Sequence, residues 1–557
     1  MTDGAGRVFG IDLGTTYSVV AYVDETGRPT VCRNSVGAET TPSVVFFENP
    51  TNIIVGETAK RSAMVQADRV VDLIKRQMGR EEGYEFDGND YTPESISALI
   101  LKQLAQDAAV YTNSDVQQVV ITVPAYFGMQ ERKATKQAGE IAGLDVLSIV
   151  SEPVAAAVHY ELMNTADGKT VLVYDLGGGT FDTSVIRVDD NEITVVCTDG
   201  DSSLGGADWD ARLRTHLLER FVEEASPGEP PEDDEEFLQE LANTAEEVKK
   251  QLTLQEKRPI PLRFAGASAR IDIERDKFEA LTGDLLDRTI EIVRRTLATL
   301  EQKSPGATVD EVLLVGGATR MPAVKARLAK EFGWDPKLHD PDLAVAKGAA
   351  VYALGRVVHR EIEQAVQAED SANDAAAKSV EIINYVAGQT SIPEAALTKL
   401  VAKKTHAVLP KAFGVKLVDS RDPDWRNKPR RFRVEHLVQA NDQLPTGDKH
   451  LRAHTVDDGQ TGVEIELYEQ AGTTAGEEIG DNKPVNQGRG LITGIPALPA
   501  ESPIDIRISV DDEGLLQLRA TDPSSAKSLD IQVSVGVLSD AEVAEATEVV
   551  AGLTVSG

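Results

Sequence analysis

Two short segments of the chain carry the same groups in the same order, and those groups could bind phosphate. The first segment is VFGIDLGTTYSVVAYV, from Val8, and the second is VLVYDLGGGTFDTSVIRV, from Val171. In each, an aspartate, Asp12 or Asp175, follows an apolar run and precedes a turn rich in glycine and threonine. Successive backbone N–H groups in such turns form concave anion sites, and glycine lets the backbone approach a phosphate closely. The matched turns therefore predict a polyphosphate site made from two halves.

The phosphate-binding prediction covers the residues of both turns. They are Gly14, Thr15, Thr16 and Tyr17 in the first turn, and Gly177, Gly178, Gly179 and Thr180 in the second. Carboxylates beside phosphates would repel them, so Asp12, Asp175 and Asp182 require a cation. Mg²⁺ is the natural ion, because it takes oxygen ligands, keeps several waters and bridges phosphates. One aspartate at a turn is commonly a turn former only, but two matched turns weaken that interpretation.

Two other phosphate-binding motifs fit the sequence poorly. Gly168-Lys169-Thr170 resembles the end of a P-loop, but Met163 stands where the first glycine is required, and a strand pattern follows. No GxGxxG sequence leads from a strand into a helix, which disfavours a dinucleotide-binding Rossmann site. The two hairpin turns remain the better candidates for the phosphate site.

The elements around the two turns alternate between strand and helix patterns. Each matched segment has apolar runs on both sides of its turn and so predicts a β-hairpin with a polar tip. Residues 119–127 (VVITVPAYF) predict a buried strand, 130–144 a helix that ends near Gly143, and 311–332 another strand, glycine turn and helix. This alternation indicates an α/β fold. Two hairpins this far apart in the chain suit a duplicated domain better than a solenoid repeat.

The second half of the chain has a different pattern. From Val357 to about Thr405 it is rich in alanine and glutamate and predicts a helical connector. From Val408 short strands predominate, and in residues 504–510 (IDIRISV) apolar and polar side chains alternate, which is typical of an antiparallel β-sandwich. We therefore divide the chain into an α/β domain at 1–358, a helical connector at 359–406, a β-sandwich at 407–540 and a short helical tail at 541–557.

Composition restricts the partners of the protein. The 557 residues carry a formal net charge of −34, which makes nucleic acid and anionic membranes unfavourable partners. Cys32 and Cys197 are too few for a disulfide framework, and neither lies in a zinc-binding spacing. No apolar run reaches the roughly 18 residues of a membrane helix, and the first residues lack the pattern of a secretion signal. We expect a cytoplasmic monomer that binds neither nucleic acid nor membranes.

Six ordered motifs give the chain a specific resemblance to a known family. GIDLGTTYS, VPAYF, SEPVAAA, YDLGGGTFD, LGGADWD and LLVGGATRMP strongly resemble the heat shock protein 70 family, the DnaK-type chaperones. The resemblance is close over about residues 8–358 and looser over about 408–540, where FGVKL, QTGVEIELYE, LITGIP and DIRISVDDEGLLQLRATD match. It implies an actin-like, two-lobed ATPase domain followed by a mainly antiparallel β-sandwich that binds peptide.

The resemblance also implies roles for residues that spacing alone would leave on a solvated surface. Lys75, in LIKRQMG, matches the lysine that contacts the γ-phosphate and the attacking water, and Glu152, in SEPVAAA, matches the carboxylate that positions that water. With Thr180 they would orient the water, while Asp12, Asp175 and Asp182 hold Mg²⁺. The residues that match the rest of the nucleotide site are Gly205, Gly206, Glu246, Lys249, Thr253, Gly316, Gly317, Arg320 and Asp342.

Two features support the adenosine half of this assignment. Glu246, Lys249 and Thr253 lie at i, i+3 and i+7 of one predicted helix and therefore on one face. Arg320 matches the arginine whose plane stacks on adenine, a role that suits a guanidinium better than an ammonium group. ATP or ADP with Mg²⁺ is the expected cofactor, and the family also admits K⁺.

For the second half, the resemblance implies extended or unfolded polypeptide as the partner. Val463 and Ile465 match the strand that lines the peptide cleft, and Phe413 and Val415 lie on the neighbouring strand, although each could equally be sandwich core. A J-domain co-chaperone and a nucleotide-exchange factor are further partners that the family suggests. Pro124 and Arg132 match the family's relay between the lobes and the linker.

The sequence departs from the family pattern in several places. Ala407, Val408 and Leu409 stand where the leucine-rich linker is expected, but without its flanking acids, and the helical insert before them has no counterpart. We also expect no helical lid, and the basic loop 421–433 is longer than expected.

Two functions remain open: an ATP-dependent chaperone, and an ATP-switched binding protein for one dedicated partner. The β-sandwich argues against two other functions of actin-like folds, a small-molecule kinase and a filament-forming protein.

Overall fold

The computed structural model describes residues 7–163, 168–189, 192–338, 340–367, 372–390, 392–402, 404–472, 474–511, 514–533 and 538–557. Two α/β lobes come first, a layer of helices follows them, and a β-sandwich comes next. The mixed α/β class and the later sandwich agree with the fold that the sequence predicts. No helix within these ranges is long and apolar enough to cross a membrane.

The first lobe is built on a mixed sheet with the order β11-β10-β1-β2-β3, to which β4 adds by pairing with β2. Its elements are β1 Val8–Asp12, β2 Tyr17–Val23, β3 Pro29–Val31, β4 Thr41–Pro42, β5 Val45–Asn49, β6 Asn52–Val55, α1 Glu57–Ser62, β7 Val70–Val71, β8 Tyr84–Phe86, β9 Asn89–Tyr91, α2 Pro93–Thr112, β10 Gln118–Val123, α3 Met129–Ile141, β11 Asp145–Ser151 and α4 Glu152–Met163, with short 3-10 helices at Ala67–Arg69 and Ile74–Gln77.

The second lobe repeats the plan with the order β18-β17-β12-β13-β14-β19. Its elements are β12 Lys169–Leu176, β13 Phe181–Asp189, β14 Glu192–Asp201, α5 Gly206–Ala225, α6 Glu235–Leu252, β15 Lys257–Phe264, β16 Ala267–Glu274, α7 Arg275–Leu281, α8 Gly283–Lys303, β17 Glu311–Val315, α9 Pro322–Phe332, β18 Lys337–Leu338 and α10 Ala344–Gln367, with 3-10 helices at Pro231–Asp233 and Gly317–Arg320.

Strand pairing confirms the duplication. In the first lobe β1 pairs antiparallel with β2 and parallel with β10, and in the second lobe β12 pairs antiparallel with β13 and parallel with β17. The central strands are covered on both faces, which is why they are continuous apolar runs. Helix α10 lies against β1, and a Cβ at Gly10 would overlap the backbone of Ala349 and Ala350. Glycine at this position therefore lets the helix approach the strand closely.

The predicted connector is helical, and it ends in a strand. Helices α11 (Ala372–Thr390) and α12 (Glu394–Ala402) pack on α10, and Ile382, Ile383 and Leu397 enter the same buried cluster as Val358. Strand β19 (Lys404–His406) then pairs in parallel with β14 at the edge of the second lobe. The chain between the lobes and the sandwich is therefore anchored as a strand just before the expected linker residues.

The sandwich consists of two antiparallel sheets, β21-β20-β23-β24 and β22-β25-β26-β27. Its elements are β20 Phe413–Val418, β21 Phe432–Val438, β22 Lys449–His454, β23 Gln460–Gln470, β24 Asn482–Leu498, β25 Pro503–Val510, β26 Leu516–Asp522 and β27 Lys527–Val533, with 3-10 helices at Trp425–Asn427 and Ile479–Asp481. Ile504, Ile506, Ile508 and Val510 are buried, as the alternating pattern predicts.

The tail differs from the short helix that the sequence predicts. Helix α13 (Asp540–Gly552) is followed by a strand, β28 (Thr554–Ser556), which pairs with β6 of the first lobe. A segment of three residues is too short to show the alternation that predicts a strand. Its partner strand also lies about 500 positions away in the sequence, so only the folded structure reveals the pairing.

Candidate nucleotide site

The tips of the two matched hairpins meet face to face between the lobes. A Cβ at Gly178 would overlap the side chain of Thr16, and a Cβ at Gly179 would overlap that of Thr15. Both glycines are therefore required by close packing of the tips, in addition to any ligand. The two predicted phosphate turns, far apart in the sequence, are therefore in direct contact.

The tips line a cavity of about 940 Å³ between the lobes. The predicted residues that line it are Asp12, Gly14, Thr15, Thr16, Tyr17, Lys75, Glu152, Asp175, Gly177, Gly178, Thr180, Gly206, Glu246, Lys249, Thr253, Gly316, Gly317, Arg320 and Asp342. Three other predicted residues, Gly179, Asp182 and Gly205, are not among the residues that line it. Of these, Gly205 packs against the backbone of Gly179, where a Cβ would lie 2.6 Å from Gly179 Cα.

Three buried carboxylates, Asp12, Asp175 and Asp182, lie near Glu152, and burial and the charge of Glu152 oppose the ionisation of each. Burial, and after it the charge of Glu152, raise the pKa of Asp12 to about 7, although Lys75 and a hydrogen bond from Thr122 act in the other direction. Burial and the charge of Glu152 also raise the pKa of Asp175 and of Asp182 well above the usual range.

This concentration of negative charge fits a divalent cation. Among the described residues, no three acidic, histidine or cysteine side chains are close enough to hold a metal by themselves. A Mg²⁺ ion here would therefore need oxygen ligands from water or phosphate, which is the coordination that this ion prefers. The donor set fits the ion only together with a polyphosphate.

A buried ion pair crosses the floor of the cleft. Lys75 Nζ donates to Glu152 Oε1 at 2.7 Å, and the two side chains are only 4% and 8% exposed. Lys75 comes from the 3-10 helix Ile74–Gln77, and Glu152 begins α4. The ammonium group also lies 5.7 Å from the centre of the Phe127 ring. A cation held this rigidly in a low dielectric is suited to stabilise a developing negative charge.

On the side of the cavity where adenosine is predicted, Glu246 of α6 accepts hydrogen bonds from groups of both lobes. Its carboxylate accepts hydrogen bonds from Tyr17 Oη at 2.9 Å, from Lys250 Nζ at 2.6 Å and from Lys60 Nζ. Burial raises the pKa of Glu246, but Lys60 and Lys250 together lower it to about 2. The carboxylate is therefore ionised at neutral pH and bridges the lobes above the cavity.

The other residues of α6 that are predicted to contact adenosine also lie at the cavity. Lys249 Nζ donates to Gly206 O at 2.9 Å and to Asp210 Oδ2 at 2.6 Å. Thr253, one turn further along the chain, lines the same cavity. All three predicted residues of the α6 face thus lie at the cleft, as the i, i+3, i+7 spacing predicts.

The glycine turn that follows β17 carries Arg320, which is paired with Asp342. Arg320 Nε donates to Asp342 Oδ2 at 2.9 Å, and its guanidinium is half exposed at the cavity. Gly316 has φ +83°, and a Cβ there would lie 2.7 Å from Asp175 Oδ1. Glycine is therefore needed for both conformation and space.

The sequence analysis does not identify Arg76, a side chain of the first lobe that contacts the second predicted phosphate turn. Arg76 donates to Gly179 O from Nε at 2.9 Å and from Nη2 at 2.7 Å, and Nη2 also lies 2.8 Å from Asp208 Oδ2. The same Asp208 oxygen accepts from Gly205 N at 2.7 Å. In the sequence, the only indication that Arg76 lies near the site is that it directly follows Lys75.

The predicted peptide-cleft residues fall mostly in the sandwich core. Phe413, Val415 and Ile465 are buried in the cluster between the two sheets, while Val463 is half-buried at its margin. Phe413, Val415 and Ile465 are therefore core residues of the sandwich, which is the alternative that the sequence left open for them. Arg132, a predicted relay residue, is half-buried; desolvation lowers the pKa of its guanidinium to about 10, and its Nε donates to Phe127 O at 3.2 Å.

Two lobes with duplicated hairpins around a cleft define an actin-like nucleotide-binding fold, here followed by a β-sandwich. The sequence model of the Hsp70 protein family matches residues 8–366 and 431–551. The chain is 35% identical to the chaperone protein DnaK of Thermosipho africanus, of Thermosipho melanesiensis and of Thermotoga neapolitana. Each alignment covers 95% of this chain and 80% of the relative. The chain therefore belongs to the Hsp70 family.

Proposed function

We propose that this protein is an ATP-dependent molecular chaperone that hydrolyses ATP to control its hold on extended polypeptide. Family membership supports the class of function, and the composite cavity between matched hairpin tips supports the nucleotide. We propose the division into an ATPase domain at 1–358, a helical connector at 359–406, a sandwich at 407–540 and a tail at 541–557. The observation that carries the proposal is the convergence of both phosphate turns, Lys75 and Glu152 at one cavity.

Hydrolysis in this site depends on positioning and charge, and needs no covalent intermediate. Backbone N–H groups of the two tips hold the phosphates. Lys75 places its ammonium group beside the transferred phosphate, and Glu152 and Thr180 orient the attacking water. Asp12, Asp175 and Asp182 would hold Mg²⁺, mostly through water, and the ion would neutralise phosphate charge.

The nucleotide signal reaches the sandwich through contacts between the domains. Strand β19 pairs with β14 of the second lobe, and Lys411 of the sandwich lies 3.5 Å from Glu131 of α3. Thr198 N of β14 donates to Asn441 Oδ1 of the sandwich at 2.8 Å. ATP and peptide are then two ligands of one coupled system, and each changes the affinity for the other by the same factor.

The decisive experiment measures the ATPase rate of the purified chain with and without an extended hydrophobic peptide. Coupled sites predict a changed rate on addition of peptide. An unchanged rate, with ATP hydrolysis intact, would contradict the coupled chaperone mechanism while leaving the ATPase assignment in place.

One observation favours the second candidate, an ATP-switched protein for a dedicated partner. The family match breaks between residues 367 and 430, the region that holds α11 and α12 and most of the basic loop 421–433. Several basic groups of that loop are paired with acids: Arg421 with Asp419, Arg426 with Glu501, and Arg430 with Asp457. Suppression of aggregation of unrelated unfolded proteins separates the two functions, because a dedicated binder would not provide it.

A further inference from the structure

Residues 538–557, which follow the sandwich in the chain, pack into the core of the first lobe. Leu538, Val550, Leu553 and Val555 are each at most 8% exposed and belong to the buried cluster formed by β1, β10, α2 and α3. Helix α13 packs on both α2 and α3. The segment 538–557, which we term the tail clasp, is therefore part of the packing of the first lobe.

The strand of the tail clasp extends a sheet of that lobe. Strand β28 pairs in parallel with β6, with Val555 opposite Ile53, and so completes the order β28-β6-β5-β7. Thr554 N donates to Thr51 O at 2.9 Å, next to the ladder. Val555 is 7% exposed while its neighbours Thr554 and Ser556 are exposed. This is β-augmentation: backbone pairing supplies affinity, and one buried side chain supplies specificity.

Two polar side chains of the lobe satisfy carbonyl groups at the ends of the clasp. Lys102 Nζ donates to Val550 O at 2.8 Å and to Leu553 O at 3.0 Å, which are carbonyls at the end of α13. Gln137 Nε2 donates to Leu538 O at 2.9 Å, just before the capping box that Ser539 forms with Glu542. The lobe thus recognises both the beginning and the end of the helix.

The sandwich is consequently bracketed by two added strands. Strand β19, before it, belongs to the sheet of the second lobe, and strand β28, after it, belongs to the first lobe. Between them, Met129 of α3 enters the sandwich cluster, and Lys483 of the sandwich lies 3.4 Å from Gln130 Oε1. Release of either strand would lengthen the tether of the sandwich and weaken these contacts.

We propose that the tail clasp is a detachable intramolecular latch, and that the edge of β6 is its recognition site. Docking of β28 holds the sandwich against the lobes, and release of β28 frees it to move. The edge recognises an extended segment with one small apolar side chain at the position of Val555. The latch does not depend on ATP hydrolysis, so its test can fail or succeed independently of the ATPase proposal.

The first test compares Val555→Asp with Ser556→Asp in the full chain. The two variants add the same charge to the same strand, but only the first places it in the core of the lobe. Glu542, Glu545 and Glu548 lie in α13, so a glutamate-specific protease reports its release as a C-terminal fragment. We expect cleavage to accelerate about tenfold or more in Val555→Asp, since an unpaired charge cannot stay buried. Ser556→Asp should resemble the parent, and equal cleavage of both variants would overturn the docking.

The second test asks whether the edge binds the clasp in trans. A fluorescent peptide of residues 538–557 is titrated into the Val555→Asp chain, whose own strand has been released. We expect saturable binding by anisotropy, and about tenfold or greater weakening when the peptide itself carries Val555→Asp. Absence of binding by the native-sequence peptide, or equal binding of both peptides, would overturn recognition at the edge of β6.

The third measurement tests the consequence for the sandwich. Amide hydrogen exchange of β19 and of residues 128–132 is followed in the parent, in Val555→Asp and in Ser556→Asp. A latch predicts faster exchange at both places in Val555→Asp alone. If the protease shows that the tail is released while exchange there stays at the parental rate, the tail does not hold the sandwich and the latch is rejected.

Discussion

Lys75 Nζ lies 2.7 Å from Glu152 Oε1 in a pair that is almost fully buried, and the two residues come from different elements of the first lobe. The pair lies beside Asp12 and Asp175, whose ionisation it affects in opposite directions: Glu152 opposes it and Lys75 favours it. Lys75 therefore partly offsets the negative charge of several carboxylates around the predicted phosphate position, and we expect its removal to reduce turnover more than binding.

We expect Lys75→Ala to bind ATP but to lose most of its turnover. Loss of one preorganised charge at a transition state costs about 100-fold or more in rate, whereas the backbone groups of both tips remain to bind the nucleotide. Single-turnover hydrolysis and calorimetry with ATP measure the two effects separately. The matched control is Lys136→Ala, which removes an exposed lysine of α3. Turnover of Lys75→Ala within about twofold of the parent would reject the assignment.

Asp12 should make the nucleotide-free protein less stable as the pH rises. Its pKa is raised to about 7 in the folded state, mainly by burial, against 3.8 as the ordinary value. The folded state therefore holds a proton that the unfolded state has lost between these values, so the free energy of unfolding falls with increasing pH across this window. Asp12→Asn removes the titration and should raise stability at neutral pH, by at most roughly 4 kcal/mol.

The comparison of Asp12→Asn with the parent is made at pH 5 and pH 7.5 without nucleotide or divalent ions. The stabilisation should grow between the two pH values, since the parent carries the unfavourable charge only at the higher one. Asp115→Asn is the control, because Asp115 is exposed and does not line the cavity. A stabilisation that is the same at both pH values would show that Asp12 does not titrate in this window.

Removal of divalent ions should weaken nucleotide binding strongly. Asp12 and Asp175 line the cavity, and Asp182 lies opposite Asp175 in the neighbouring strand. Within the described part of the chain they do not form a metal site by themselves, so they should repel a polyphosphate unless a cation intervenes. We expect the affinity for ATP measured by calorimetry to fall at least about tenfold when EDTA replaces millimolar Mg²⁺. Adenosine, which has no phosphate, provides the control ligand. Equal ATP affinity in both buffers would contradict the magnesium assignment.

The sequence predicts the repeated parts of this structure better than the single contacts between them. The hairpins at Asp12 and Asp175 could be recognised because each has its own apolar runs and turn residues. Their contact through Gly178 and Thr16 could only be inferred from duplication and resemblance. The structure places most of the predicted residues around one cavity, and their roles in binding and hydrolysis stay predictions.

Other features could not have been predicted, since they depend on distant partners. The bridge from Arg76 to Gly179 O joins residues about 100 positions apart, and an arginine next to a lysine carries no signal of it. Strand β28 has three residues and obtains its conformation from β6. In the sandwich, alternation identified the buried face, but it could not separate core residues such as Phe413 from residues that line a cleft.

Arg76 should control how firmly the second phosphate turn is held against the first lobe. Its guanidinium donates twice to Gly179 O and once to Asp208, whose carboxylate also accepts from Gly205 N. Arg76→Ala removes this bridge without touching the cavity lining, and Arg76→Lys retains the charge but cannot make the same fork of hydrogen bonds. We expect ADP release to accelerate about tenfold in Arg76→Ala and less in Arg76→Lys, measured with a fluorescent nucleotide. Arg80→Ala, an exposed arginine of the same segment, should leave release unchanged, and an effect as large as that of Arg76→Ala would contradict the bridge.

Gly205 offers a purely steric test of the same turn. Its φ is close to 180°, so alanine can adopt the backbone conformation, but the added Cβ would lie 2.6 Å from the N and Cα atoms of Gly179. Backbone atoms cannot move aside as a flexible side chain can, so Gly205→Ala must displace the turn that carries Gly178 and Thr180. We expect at least about a tenfold loss of ATP affinity by calorimetry, because phosphate contacts depend on this backbone. Gly228→Ala is the control, since a Cβ there meets no atom within 4 Å. If Gly205→Ala binds ATP with the affinity of the parent, the position of this turn does not matter for binding. The proposal that both turns bind the phosphates would then be rejected.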